Sequence, residues 1–406
     1  MIQERVDSLL RDRAAAIEEA RSEGAKVVGY FPGGYVPEEI IYASGAIPVC
    51  LAHGGDVRAA GEGLAVLPHI ICPFIRAQVG ELRLKSNPYY TMIDLLVVPS
   101  TCQHMRKVAD VLELSQPELI FKLGVPYEPG DGFSLSFFKE RLDDLRAGLA
   151  ELTGVPVTDE ALREAMTLYN RMRGLLKSIS LLRTQARPPL SGSDFARLNH
   201  ASFYVDPVDM VEALEDIYRS LQSDPAAGPA DGPSAGLTPE RPVDAGAQTE
   251  ARPRLALVGP NLAYGDYDIL DIVEECGGDV VIEDVFEGTR DYWHTVAPGS
   301  DDPIETLARS YLLEKAPRMF MRSSTQARVD EVLRLAEEFA AEGVIWYQLV
   351  CCELYDEEAF YFEKRLQEAG LPMLALEADY GGLRAGGVRT RVEAFLELIQ
   401  GGLTNA

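Results

Sequence analysis

AKVVGYFPGGYVPEEIIYASGAIPVCLA, residues 25–52, decides how the chain folds. AKVVGYF (25–31) is a short apolar run and reads as a strand. In the segment PGGYVPEEIIYASG, Pro37 followed by Glu38 and Glu39 suits a helix start. Proline needs no backbone donor in the first turn, and carboxylates favour the positive end of the helix dipole. Gly45 ends that helix, and AIPVCLA (46–52) is a second strand. Strand, helix and strand joined by short loops make a βαβ unit, which predicts a parallel sheet.

Upstream, residues 1–24 read as one charged amphipathic helix without the apolar segment of a secretion signal, which predicts a cytoplasmic protein. Downstream, residues 55–66 are rich in Gly and Ala and read as loop. LPHIICPF (67–74) is an apolar stretch that reaches Cys72, and AQVGELRL has a helical pattern. IDLLVVPST (93–101) reads as a buried strand, followed at once by Cys102 and by the helical HMRKVADVLEL. PELIFKLGVPY (117–127) is a further strand and loop. From about 135 to 222 the periodicity predicts two or three amphipathic helices. Residues 223–253, rich in Pro, Gly and Ala, hold almost no large apolar side chain and read as a flexible linker.

Strands return with RLALVGP (254–260), DVVIEDVF (279–286), GVIWYQLV (343–350) and LPMLALEADY (371–380). They are separated by the helical YDILDIVEECGG, VDEVLRLAEEFAAEG and DEEAFYFEKRLQEAG and closed by TRVEAFLELIQGG. The expected class is α/β: two flavodoxin/Rossmann-like parallel-sheet domains with a helical segment between them. The expected divisions are an N-terminal domain at 1–134, the helical segment at 135–222, the linker at 223–253 and a C-terminal domain at 254–406.

The chain has 406 residues, 47% of them hydrophobic, more than one ordinary core accommodates. No apolar run reaches the roughly 18 residues that cross a bilayer. The net charge of −26, without a dense Lys/Arg block, argues against nucleic acid as a partner. Six cysteines occur, at 50, 72, 102, 276, 351 and 352, with no CxxC pair. A zinc ribbon and a local ferredoxin-type run are therefore excluded, and any metal site must be assembled from distant segments.

Cys102 and Cys352 each stand where an apolar strand gives way to a helix, and Cys72 follows an apolar stretch in the same way. Ligands of open parallel sheets collect beyond the carboxyl ends of the strands, and a helix N-terminus favours thiolate over thiol. Three thiolates suit a [4Fe–4S] cluster with one iron left for a non-protein ligand. Spacing alone makes no motif of them. They also read as unrelated packed thiols, or, for Cys102 with His104, as a Cys–His nucleophile. Cys50 and Cys276 read as packed thiols, and Cys351 competes with its neighbour Cys352.

Five stretches resemble the 2-hydroxyacyl-CoA dehydratase/benzoyl-CoA reductase family. They are VPEEIIYASGAIPVCL (36–51), CPFIRAQVGE (72–81), IDLLVVPSTCQHMRKVADVLE (93–113), GVIWYQLVCCELYDEE (343–358) and GLPMLALEADYGGLRAGGVRTRVEAFLELI (370–399). The resemblance implies that Cys72, Cys102 and Cys352 are the cluster ligands, with Cys351 the residue before the last. It implies an acyl-CoA substrate and a separate ATP-hydrolysing iron–sulfur activator that delivers a low-potential electron. It also implies a homo- or heterodimer with a paralogous subunit. The reaction is then dehydration of a 2-hydroxyacyl-CoA through a ketyl radical, or reduction of an aryl-CoA ring. The alternatives are a non-catalytic cluster-bearing partner subunit and a double-cubane-like reductase of small molecules. Two departures stand out. Gln103 replaces the usual Asp, and Asn87-Pro88-Tyr89 lacks the extra cysteine of double-cubane relatives.

Glu39, with Glu38 before it, is the candidate proton-transferring carboxylate, though the pair also reads as ordinary helix-start charge. Tyr30 and Tyr35 are candidate donors to a thioester oxygen, or half-buried aromatics. Arg76, Arg106 and Lys107, with Arg83 and Lys85, are the candidates to meet the phosphates of CoA. No GxGxxG or P-loop is present, so neither NAD nor ATP is expected on this chain.

Overall fold

The computed structural model describes residues 2–130, 132–223, 252–297, 301–315, 324–381 and 387–403. The stretch read as one N-terminal helix is two, α1 (Ile2–Arg11) and α2 (Arg13–Ser22), with Asp12 between them. The N-terminal sheet then runs β1 (Val27–Tyr30), α3 (Glu38–Ala43), β2 (Ile47–Cys50), α4 (Val57–Gly63), α5 (Pro73–Leu84), α6 (Pro88–Thr91), β3 (Leu95–Pro99), α7 (Gln103–Ser115) and β4 (Ile120–Leu123). All its pairings are parallel, in the order β2-β1-β3-β4.

Residues 55–66, expected as loop, contain the helix α4. Asp56 caps it by accepting from the Arg58 N–H. The Gly and Ala content serves packing: a Cβ at Gly63 would strike the Arg76 backbone, and one at Gly80 the Ala59 backbone. Small residues let α4 and α5 approach closely, and this is why the composition resembles a loop.

Four helices follow: α8 (Gly132–Thr153), α9 (Asp159–Leu181), α10 (Gly192–Ala201) and α11 (Pro207–Gln222). Thr158, Ser191 and Asp206 cap the last three by accepting from backbone N–H groups. The sequence predicted two or three helices because α10 is short and mixed in composition. The expected linker at 223–253 lies, apart from its ends, outside the described residues.

The C-terminal sheet runs β5 (Arg254–Val258), α12 (Asp268–Glu275), β6 (Asp279–Asp284), α13 (Thr289–Tyr292), α14 (Pro303–Arg309), α15 (Thr325–Glu338), β7 (Gly343–Leu349), α16 (Glu353–Glu368), β8 (Met373–Ala378) and α17 (Gly387–Leu403). It too is parallel, in the order β6-β5-β7-β8. Counted within its own half, each sheet has the strand order 2-1-3-4. Every residue of β7 is buried, as expected of a central parallel strand. Each large apolar side chain such as Ile345 contributes about 1.5–3 kcal/mol by leaving water.

The halves are joined in two ways. The loops after β2 and β5 exchange backbone hydrogen bonds, Gly54 N–H to Tyr264 O at 3.0 Å and Tyr264 N–H to Ala52 O at 2.7 Å. The apolar core is continuous from Val28 and Leu96 to Leu257 and Ile345. In addition, α9 straps both sheets. Its Arg173 pairs with Glu38 and Glu39, and Arg183, just beyond it, with Glu283 of β6. Among the described residues no helix is long and apolar enough to cross a membrane.

Candidate functional site

Each of the three cysteines is the residue on which a helix begins. Cys72 is the N-cap of α5, with Pro73 at the first helical position; Cys102 is the N-cap of α7 and Cys352 that of α16. The Met105 N–H donates to the Cys102 Sγ at 3.4 Å. The apolar stretch before Cys72 forms turns, whereas Cys102 and Cys352 stand just past β3 and β7.

All three line one cavity of about 90 Å³ between the two sheets. Thr101, Gln103 and His104 border it from the N-terminal half, and Asn261, Phe286 and Tyr355 from the C-terminal half. All six cysteines of the chain are free thiols. Burial pushes the Cys72 thiol up to about 12, with Cys102 adding to the effect. Cys352 is raised by burial and then by Cys72 and Cys102. Cys102 is also raised by burial, against the opposing pull of the Met105 and His104 N–H groups. The mutual repulsion means that three thiolates cannot share this cavity without a compensating cation.

The donor set therefore fits a metal group that bridges the cavity wall. Among the described residues no three His, Cys, Asp or Glu side chains converge on a single-ion site. A cluster has a different requirement, since each thiolate binds a different iron. The chemistry of the lining, three free thiols at three helix N-termini, meets it.

Cys351 sits differently. Its φ of +61° is left-handed, and its Sγ faces the His69 carbonyl at 3.8 Å, whereas Cys352 is the one in the cavity wall. His104 forms no pair with the Cys102 thiol. Its Nδ1 accepts from the Cys72 backbone N–H at 3.3 Å. Cys50 is buried at the end of β2, and Cys276 lies against Arg389.

Glu39 is fully buried and outside the cysteine cavity lining. Arg173 donates to its Oε1 at 2.6 Å and to Glu38 Oε2 at 2.9 Å, and the Tyr311 hydroxyl lies within 2.9 Å of both carboxylates. Burial acts to raise Glu39, but Arg173 holds it below the ordinary carboxylate value. Glu38 goes the other way, raised by burial and by Asp291. Glu38 also borders two water-sized voids. One of them shares Pro32, Gly33 and Phe286 with the cysteine cavity, so Glu38 is the carboxyl nearer the site. Tyr30 donates to Glu38 at 3.2 Å, and Tyr35 is buried against Phe138.

None of the five candidate phosphate-binding cations lines the cavity. Arg76, on α5, is buried, with its guanidinium 3.7 Å from Asp379. Arg106 lies over the Tyr127 ring, and Lys107 is exposed beside Asp110.

Sequence reasoning missed the groups that hold the site from a distance. Arg173 stands 134 positions from Glu39 and carried no signal. Arg290 binds Asp284 bidentately and donates to the Tyr355 hydroxyl, fixing the first turn of α16 behind Cys352. Asn261 and Glu287 were within reach, since both lie just beyond the carboxyl ends of β5 and β6. The strand-end rule applied to the cysteines points to them as well.

The model of the family described as 2-hydroxyglutaryl-CoA dehydratase, D-component, matches residues 34–399. A provisionally named dehydratase subunit of Escherichia coli (strain K12), YjiM, is 26% identical over 94% of each chain. The (R)-phenyllactyl-CoA dehydratase beta subunit of Clostridium sporogenes is 22% identical over 93% of this chain and 92% of its own. A benzoyl-CoA reductase subunit of Thauera aromatica is 24% identical over 92% of this chain and 91% of its own.

Proposed function

The chain belongs to the 2-hydroxyglutaryl-CoA dehydratase D-component family, and from that premise we propose that it is a cytoplasmic [4Fe–4S]-bearing subunit of an activator-dependent acyl-CoA dehydratase or aryl-CoA reductase. Cys72, Cys102 and Cys352 are the proposed ligands. The observation that carries the reading is their convergence, from three helix N-termini and both sheets, on one cavity. When bound, such a cluster supplies a low-potential electron and, at an iron without a thiolate, a Lewis acid.

The chain's own residues prepare the site for this. The three helix N-termini stabilise thiolates through their dipoles and free N–H groups. Phe74, Ile75, Phe286 and Leu354 keep the cavity dry. Arg290 and Tyr355 hold α16, and with it Cys352, in place. Glu38, beside the connecting void, is the carboxyl suited to hold a proton, and Glu39 anchors Arg173.

A second reading is favoured by the cavity itself. Its volume of about 90 Å³ is well below the roughly 300 Å³ at which pockets for bound small molecules begin. Relatives are named as beta subunits. In this reading the chain relays electrons to a paralogous subunit that binds the acyl-CoA. Anaerobic purification with iron and sulfide counting and EPR tests the shared core of both readings. About four irons per chain, lost in Cys352→Ala, support it, and zinc or no metal overturns it. Acyl-CoA titration then separates the two: binding by this chain alone supports a catalytic subunit, and binding only with the paralogous subunit supports the relay.

A further inference from the structure

Glu287 is a buried carboxyl, held by one cavity-wall residue and adjacent in sequence to another, for which burial and partners do not match. It stands beyond β6, directly after Phe286, whose side chain lines the cysteine cavity, and it is 0% exposed. Its Oε1 accepts from Asn261 Nδ2 at 2.6 Å and its Oε2 from the Leu262 N–H at 3.0 Å. Asn261 is itself part of the cavity wall, so the side chain that holds this carboxyl also borders the cavity of the thiols. The loops that carry the two residues are pinned together by the Phe286 N–H donating to Pro260 O at 2.9 Å.

Several of the other buried carboxylates have a guanidinium, whereas Asp266 has the Tyr347 hydroxyl. Glu39 has Arg173, Glu283 has Arg183 and Asp284 has Arg290. Among the described residues Glu287 has none. The titratable groups that face it are Asp291 of α13, Cys50 at the end of β2 and Tyr380 beyond β8, none of them a cation. An unpaired buried carboxylate is costly, and the neutral acid is the form such surroundings favour. Burial accordingly pushes the group up to about 8.

We infer that Glu287 is a redox-linked proton site, which takes up one proton from solvent when the group held by the cysteines gains an electron and releases it when that electron leaves. The inference rests on the cluster reading above. The step balances without a further reactant: the electron comes from a one-electron donor such as dithionite or the activator, and the proton from water. The bond formed is the O–H of the Glu287 carboxyl. An electron placed in the cavity adds negative charge beside a carboxyl that no cation neutralises. One added unit charge at ordinary cavity-to-wall separations raises the proton affinity of a buried carboxyl by roughly tenfold. Glu287 thereby offsets part of the charge that a strongly reducing group would otherwise accumulate in a dry site.

The test is a potentiometric EPR titration of the anaerobically purified holoprotein across about two pH units on either side of 8. The expected potential falls with rising pH by up to about 30 mV per unit, and by about 59 mV in total across the linked window, as a tenfold coupling requires. Glu287→Gln, neutral and of the same size, removes that slope. Redox-difference infrared spectra of the wild type give a second readout that needs no variant: a protonated-carboxyl band that grows on reduction. A pH-independent wild-type potential, a slope retained in Glu287→Gln, or no carboxyl band overturns the inference. Protein purified without iron overturns it together with the cluster reading. Protein that is loaded but without pH linkage overturns this inference alone.

Discussion

Cys102 stands three residues after β3, the third strand of the N-terminal sheet, and Cys352 three residues after β7, the third strand of the C-terminal sheet. Both open a long helix, and both sheets have the strand order 2-1-3-4. The two halves thus present a thiol at the same topological point, and where they meet those thiols share one cavity. Cys72 breaks the symmetry. It comes from the α4–α5 region of the N-terminal half, and no described cysteine of the C-terminal half occupies its counterpart. The strand-end geometry is therefore common property of the fold, while the third thiol is an addition to one half.

The largest expected effect tests the equivalence directly. Cys102→Ala and Cys352→Ala should each reduce iron from about four per chain to less than one, measured by metal and sulfide analysis after anaerobic purification. Cys50→Ala, inside the same half as Cys102 but outside the cavity, should keep its iron. Iron that survives Cys352→Ala but is lost in Cys351→Ala would break the comparison.

The next effect concerns how the halves are held. Arg173 serves the N-terminal half and Arg183 the C-terminal half, and each is almost wholly buried. Removing one partner of a buried pair leaves an uncompensated charge, so Arg173→Leu and Arg183→Leu should each cost about 3–5 kcal/mol in urea unfolding. They should differ in pH dependence. Arg173→Leu strands two adjacent carboxylates, Glu38 and Glu39, which lower pH relieves by protonation. Its loss should therefore be smaller in mild acid than at neutral pH.

A smaller effect lies at the seam. His53, of the N-terminal half, accepts or donates a hydrogen bond with Tyr204 at 2.9 Å, and His200, of α10, one with Tyr267 of the C-terminal half at 2.8 Å. Burial lowers His53 to about 4 and His200 to about 3. The unfolded chain, with histidines near 6.5, binds protons first as pH falls, so the histidines' contribution to stability is constant above about 6.5 and declines below it. Each histidine should account for roughly 2–3 kcal/mol of that decline by about pH 4.5. His53→Gln should lower stability at neutral pH and flatten its fall in acid. An unchanged acid slope in that variant would remove His53 from the account.

The period of the apolar residues was enough to read all eight strands and most of the long helices, because parallel strands are continuous apolar runs and the helices carry one apolar stripe. The strand-end rule was enough to place Cys102 and Cys352. Other features had no local signature. The helix α4 resembles a loop because Gly63 and its small neighbours were chosen for close approach to α5. Arg76 reads as a surface cation but is buried, 3.7 Å from Asp379, which lies 303 positions away in the chain. The partners of Glu38 and Glu39 come from α9 and from Tyr311, more than 130 positions away, and only the folded chain brings them together.

The smallest effect is the sharpest use of the comparison. Thr101 and Cys351 are counterparts, each preceding its ligand candidate, yet only Cys351 has a left-handed φ, +61°. A side chain there costs about 1–2 kcal/mol, which glycine does not incur. Glycine also loses more chain entropy on folding, roughly 0.5–1 kcal/mol. Cys351→Gly should therefore stabilise the protein by up to about 1 kcal/mol. Thr101→Gly, where the backbone is not left-handed, has the entropic loss of roughly 0.5–1 kcal/mol and also loses a buried side chain, so it should destabilise the protein by at least that much. Urea midpoints of the two variants should move in opposite directions, with iron retained in Cys351→Gly. A shift in the same direction at both positions would mean that Cys351 is held by its Sγ contact to the His69 carbonyl, and that the two halves present their ligands by different local means.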